Sequence, residues 1–215
     1  MLHDLITTWF HLVEQWGYTG VFVLMAMESS IIPVPSEVVM PPAAFWAAQG
    51  KMSFWGVVLA GTLGSYVGSQ ISYWVSQWVG LPIIRKYGKY FLLSSQKIDM
   101  ASDWVKQYGT VGIFTARLLP VVRHLISIPA GILRMPYRTF TAATVIGAGL
   151  WCTVLAWFGQ EVIGGHPELM NSPAEMVSVI KEKLHWFVIA VVVFLVLYAV
   201  VVRFKKKRSV KVTAE

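Results

Sequence analysis

Two apolar stretches of this chain, residues 18–49 and 110–133, carry ionisable side chains in their interiors and are broken by proline. The first holds Glu28 and Glu37 around the run IIPVPSEVVMPP, which contains Pro33, Pro35, Pro41 and Pro42. The second holds Arg117 and Arg123 on either side of Pro120, with Pro129 and Gly131 further on. A charge near the centre of a bilayer costs between about 2.5 and more than 10 kcal/mol, so such residues line a wet cavity or pair with one another. Proline removes a backbone donor, and an apolar medium tolerates the break only where other groups satisfy the freed backbone. Charges and breaks together predict a buried chamber assembled from broken helices.

A membrane setting follows from composition. Of the 215 residues, 56% are hydrophobic and only 13% charged, with a mean hydropathy of +0.59, far more apolar than a soluble domain needs. Residues 54–79, 137–160 and 185–203 are each long and apolar enough to cross a hydrocarbon core, so the fold class expected is an all-α polytopic membrane protein. The net charge of +7 does not point to nucleic acid, because six of the eighteen Lys and Arg residues fall in the last thirteen. That tail, residues 204–215, reads as a cytoplasmic anchor. Residues 1–16 alternate apolar and polar side chains with helical spacing and lack a basic leader or small-residue cleavage site, which predicts an interfacial amphipathic helix rather than a signal peptide. Cys152, the single cysteine, lies within a predicted span and can form no internal disulfide.

Loop charges set the topology. With the tail inside, residues 161–184 form an outer loop, and the linker 81–108 and the Arg134–Arg138 neighbourhood are both cytoplasmic. Residues 110–133 then begin and end on one side, and each half, about twelve residues at 1.5 Å apiece, is too short to cross. We read this segment as a re-entrant hairpin, and residues 18–49 as a second one opening to the opposite side; two ordinary kinked spans are the alternative. QWGYTGVF at 15–22 and QYGTVGIF at 107–114 match in spacing, and each leads into a proline-broken segment and then a long span. The pattern is that of a single membrane domain over 1–215 with an inverted repeat and a binding site where the broken helices meet.

Two acids in one unit and two bases in the other invite pairing. Breaks also leave free amides at the start of each second half-helix, and two guanidinium groups beside such a terminus suit a phosphate. Arg117 and Arg123 are therefore the candidate phosphate-binding residues, and Glu28 and Glu37 the candidates for gating or proton coupling. Which of the acids would carry a proton is left open, and a purely structural role for the arginines, neutralising the acids, stands beside the binding role. Pro33, Pro35, Pro120, Pro129 and Gly131 are read as the hairpin breaks. Gly61, Gly64 and Gly68 suit close helix packing, and Tyr73 is a candidate secondary polar contact. The five histidines show no metal-ligand spacing, and no hydrolase elbow, zinc-protease pair or phosphate loop is present, so neither a metal nor enzymatic chemistry is expected.

The elements ESSIIPVPSE (28–37), GTLGSYVGSQISYW (61–74) and FTARLLPVVRHLISIPAG (114–131) together resemble the DedA family of bacterial membrane proteins, also called the SNARE-associated or VTT-domain superfamily. Ser69 and Gln77 depart from the common pattern, where Asp and Arg are frequent. The resemblance implies re-entrant hairpins in an inverted repeat and transport of undecaprenyl phosphate, with essential acids at Glu28 and Glu37 and essential bases at Arg117 and Arg123. The expected function is a flippase of a lipid phosphate in the bacterial plasma membrane. The alternatives are a proton-coupled ion transporter without a lipid substrate and a phospholipid scramblase. Membrane lipids and a second copy of the chain are the candidate partners; no cofactor is expected beyond protons as a coupling ion.

Overall fold

A computed structural model describes residues 2–30, 35–87, 95–119, 122–123, 125–163 and 175, with the backbone alone for residues 2–7, 10, 81–87, 95–98 and 162–163. The predicted span at 185–203, the tail 204–215 and nearly all of the loop 161–184 lie outside these residues, as do Pro33 and Pro120. The described chain is helical, without a strand among the described residues: α1 (Leu2–Trp16), α2 (Tyr18–Glu28), α3 (Ser36–Ala48), α4 (Phe54–Tyr87), α5 (Ser95–Arg117), α6 (Ser127–Ile132) and α7 (Tyr137–Phe158), the last widening into a π-helical turn at Gly159–Ile163.

Backbone chemistry sets where these helices bend. Gly17 separates α1 from α2 with φ 55° and ψ −128°, and Gly109 divides α5 with φ 52° and ψ −128°. Side chains avoid this conformation, so glycine is what the corner requires. Gly80, at φ 75°, kinks α4 one residue beyond 79. The last part of the predicted linker, 95–108, is thus joined through Gly109 in one element with the first arm of the second broken segment, ending at Arg117.

Two of the expected breaks fall elsewhere. Pro129 and Gly131 lie inside α6, and the described residues between α5 and α6, at 118–119, 122–123 and 125–126, are turns and bends. Pro129 occupies the first turn of α6, where its missing N–H would have no helical partner in any case. Gly131 serves close approach: a Cβ there would collide with the Tyr73 carbonyl and stand 3.1 Å from Ser76 Cβ of α4. Pro41 and Pro42 likewise sit within α3, where the π-helical turn packs so closely that Gly159 meets Pro41 directly. Pro35 is at its expected break, immediately before α3, in extended backbone.

The long helices are apolar outside, and α4 keeps its polar residues inside. On α4, Trp55, Leu59, Leu63, Ile71, Trp74 and Trp78 are exposed, while Ser65, Ser69, Gln70, Ser72 and Ser76 are buried. α7 exposes Val145, Ile146, Leu150 and Trp157. Water would favour the opposite arrangement, and lipid favours this one. The stretch Tyr137–Glu161, 25 residues with a mean hydropathy of 1.6, is long and apolar enough to cross a membrane; α4 is longer but diluted by its inward polar residues.

Packing follows a crossed plan. α2 packs along α4, and the second part of α5 along α7. Gly64 of α4 rests on the Phe22 carbonyl and Met25 of α2, and Gly147 of α7 rests on Phe114 and Arg117 of α5. The short arms cross over: α3 lies on α7 and its π-helical turn, and α6 on α4. Two apolar cores result, one around Leu24, Met40, Phe45, Trp151 and Leu155, the other around Tyr73, Ile113, Ile126, Phe140 and Ala143. The charged residues fall between them.

Candidate functional site

Glu28 closes α2 and Ser36 opens α3, so the end of one helix meets the start of the next. The Ser36 amide donates to Glu28 Oε1 at 3.3 Å. A helix start has amides without helical partners and carries the positive end of the dipole, and both favour a carboxylate. The same oxygen accepts from Arg123 Nη2, which also donates to Ser36 Oγ. Trp151 Nε1 donates to Ser36 Oγ at 3.4 Å, and its ring lies 5.2 Å beneath the Arg123 guanidinium. Glu28 and Arg123 are thus a buried ion pair, 5% and 7% exposed.

Arg117 is held differently. It ends α5, is 3% exposed, and donates from Nη2 to Ser127 Oγ at 2.7 Å and Thr144 Oγ1 at 3.4 Å. Both acceptors are neutral, and among the described residues no carboxylate forms an ion pair with it. Three buried polar atoms have no hydrogen-bond partner here: Arg117 Nε, Arg123 Nε and Glu28 Oε2. Their side chains line one cavity together with Ser29, Ser65 and Ala148. Its volume is about 10 Å³, room for roughly one water. Ser65 and Ala148 each stand near the middle of a long helix, so the cavity lies at mid-depth.

Of the four ionisable residues singled out in the sequence, three converge and one does not. Glu37 is one residue past Ser36, about 100° around α3; it is half-buried, does not line the cavity and makes no described ion pair with either arginine. Tyr73 is buried away from the cavity, donating its hydroxyl to the Met135 carbonyl at 2.6 Å and stacking on Phe140. The sequence reading passed over Ser36, Ser127, Thr144 and Trp151. Ser36 and Ser127 each open a helix immediately after a break, and that position is the signal that could have found them.

Two cations and one anion sharing a single cavity can hold a group more negative than a carboxylate. Comparison with known proteins bears on which group. The VTT domain model matches residues 34–161. The chain belongs to the VTT-domain, or DedA, family. This VTT-domain protein is 36% identical over 157 residues to undecaprenyl phosphate transporter A of Bacillus subtilis (strain 168), covering 73% of this chain and 76% of that protein. It is 31% identical over 163 residues to undecaprenyl phosphate transporter A of Staphylococcus aureus, covering 74% and 80%. It is also 31% identical over 193 residues to the alkaline phosphatase-like protein of Lactococcus lactis subsp. lactis, covering 85% and 88%. No solved structure matches.

Proposed function

We propose that this VTT-domain protein is a flippase that carries a lipid phosphate across the bacterial cell membrane, with undecaprenyl phosphate as its substrate. The observation that carries the reading is Arg117: a guanidinium buried at mid-depth with only hydroxyl partners, beside a second guanidinium whose only described anionic partner is Glu28. A charge so placed is expensive unless a ligand uses it. The names of the Bacillus and Staphylococcus relatives support phosphate as that ligand.

In this reading the Glu28 carboxylate occupies, within the protein, the place of a phosphate oxygen. Arg123, Ser36 Oγ and the Ser36 amide already surround it as they would an anion. A phosphate held first by Arg117 displaces Glu28 from Arg123, and the freed carboxylate takes a proton or turns away, coupling substrate to conformation. Glu37, at the start of α3, serves gating rather than direct binding. The cavity of about 10 Å³ is far too small for a phosphate, so binding requires the arms to separate.

An inverted repeat is the frame for that separation. Gly17 and Gly109 share one unusual backbone conformation. Phe22 and Met25, which receive Gly64, precede Phe114 and Arg117, which receive Gly147, by the same sequence offset. With the basic tail in the cytoplasm, the two broken segments open to opposite faces as re-entrant hairpins. The deciding experiment is lipid phosphate uptake in proteoliposomes loaded with equal amounts of folded protein: Arg117→Ala and Arg123→Ala should abolish it, and unchanged uptake overturns the proposal. Release of inorganic phosphate from the lipid would favour instead the activity named for the Lactococcus relative.

A further inference from the structure

A second cavity lies outside the charged centre, at the corner where α1 turns into α2. It measures about 320 Å³ and is walled by the end of α1 (Glu14, Trp16), the Gly17 corner with Tyr18, Trp46 of α3, and Lys51 in the turn before α4. That volume falls within the range of small-ligand sites. Tyr18 is locked in place, since its hydroxyl accepts the Ser53 amide at 2.6 Å and its ring lies against Gly56, so the wall is preformed. Trp16, Tyr18 and Trp55 are exposed around this corner, the signature of a membrane–water boundary.

Its two charges are opposite and do not pair with each other. Lys51 Nζ sits 4.2 Å over the Trp46 ring and forms no described ion pair. Glu14, also lining the cavity, contacts His11 Nδ1 at 3.3 Å. A simple anion entering here would satisfy Lys51 but meet Glu14; a simple cation would do the reverse. A ligand carrying a cation and an anion a short linker apart satisfies both, with the exposed Trp16 ring favouring its ammonium end. We propose that this pocket binds the head group of a zwitterionic phospholipid, with phosphate on Lys51 and ammonium between Glu14 and the exposed Trp16. The proposal is independent of what the central chamber carries.

The test uses the purified full chain in detergent with short-chain phosphatidylethanolamine and short-chain phosphatidylglycerol as probes, read by tryptophan fluorescence and by the thermal midpoint. Phosphatidylethanolamine should shift both readouts and bind at least tenfold more tightly than phosphatidylglycerol. Lys51→Gln and Glu14→Gln should each weaken that binding at least tenfold, while Lys51→Arg retains it. Arg117→Met, in the central chamber, should leave it unchanged. Equal binding of the two lipids, wild-type binding in either neutralised variant, or loss of binding in Arg117→Met overturns the proposal.

Discussion

Arg123 and Glu28, 95 positions apart in sequence, meet in a buried ion pair that ties the turn after α5 to the junction of α2 and α3. Removing either partner leaves the other charged and buried, a loss of about 3–5 kcal/mol. Glu28→Ala and Arg123→Ala should each lower the thermal midpoint strongly, and the double variant should be more stable than the sum of the two losses. Thermal unfolding of the three variants checks this; strict additivity would mean that the pair is not coupled.

Arg117 should behave in the opposite way. It faces Ser127 and Thr144 rather than an acid, so Arg117→Met, which keeps the volume and deletes the charge, should match or exceed the parent in thermal midpoint. Transport should fall roughly tenfold or more, since one charge-assisted hydrogen bond is worth about 1.5–3 kcal/mol. A stability assay and an uptake assay on the same preparation separate the two effects.

Close approach makes some glycines irreplaceable and leaves another free. A Cβ on Gly64 would strike the Phe22 carbonyl, and one on Gly131 the Tyr73 carbonyl, whereas on Gly149 it would meet Thr62 at an ordinary 3.7 Å. Gly64→Ala and Gly131→Ala should lose about 1–3 kcal/mol. Gly149→Ala should be neutral or slightly stabilising, and unfolding midpoints in one detergent rank the three.

The two corner glycines should respond alike. Gly17 and Gly109 share their backbone conformation and have open space where a Cβ would go, so an alanine suffers backbone strain without a clash. Gly17→Ala and Gly109→Ala should each lose about 1–3 kcal/mol. A large difference between the two midpoints would separate the corners.

Glu28, Arg117 and Arg123 were legible in the sequence because charge inside an apolar segment has few tolerable explanations. The placement of Glu37 was not, since burial of one residue says nothing about which face its neighbour presents once a helix restarts at Ser36. Proline marked breaks unevenly. Pro35 stands at one, whereas Pro41 and Pro42 lie within α3 and Pro129 lies in the first turn of α6, where its missing donor has no helical partner. Ser127 and Thr144 were invisible for a different reason: hydroxyl residues are common in membrane helices, and only the Arg117 geometry singles these two out. Gly64 was read as a packing residue, but its partner, the arm carrying Glu28, could come only from coordinates.

The crossing of the short arms has a mechanical corollary. Because α3 leans on α7 while α6 leans on α4, neither long helix can tilt without dragging an arm that belongs by sequence to the other half. The interior is therefore interlocked like clasped fingers, and loosening either long helix disturbs the half to which it does not belong.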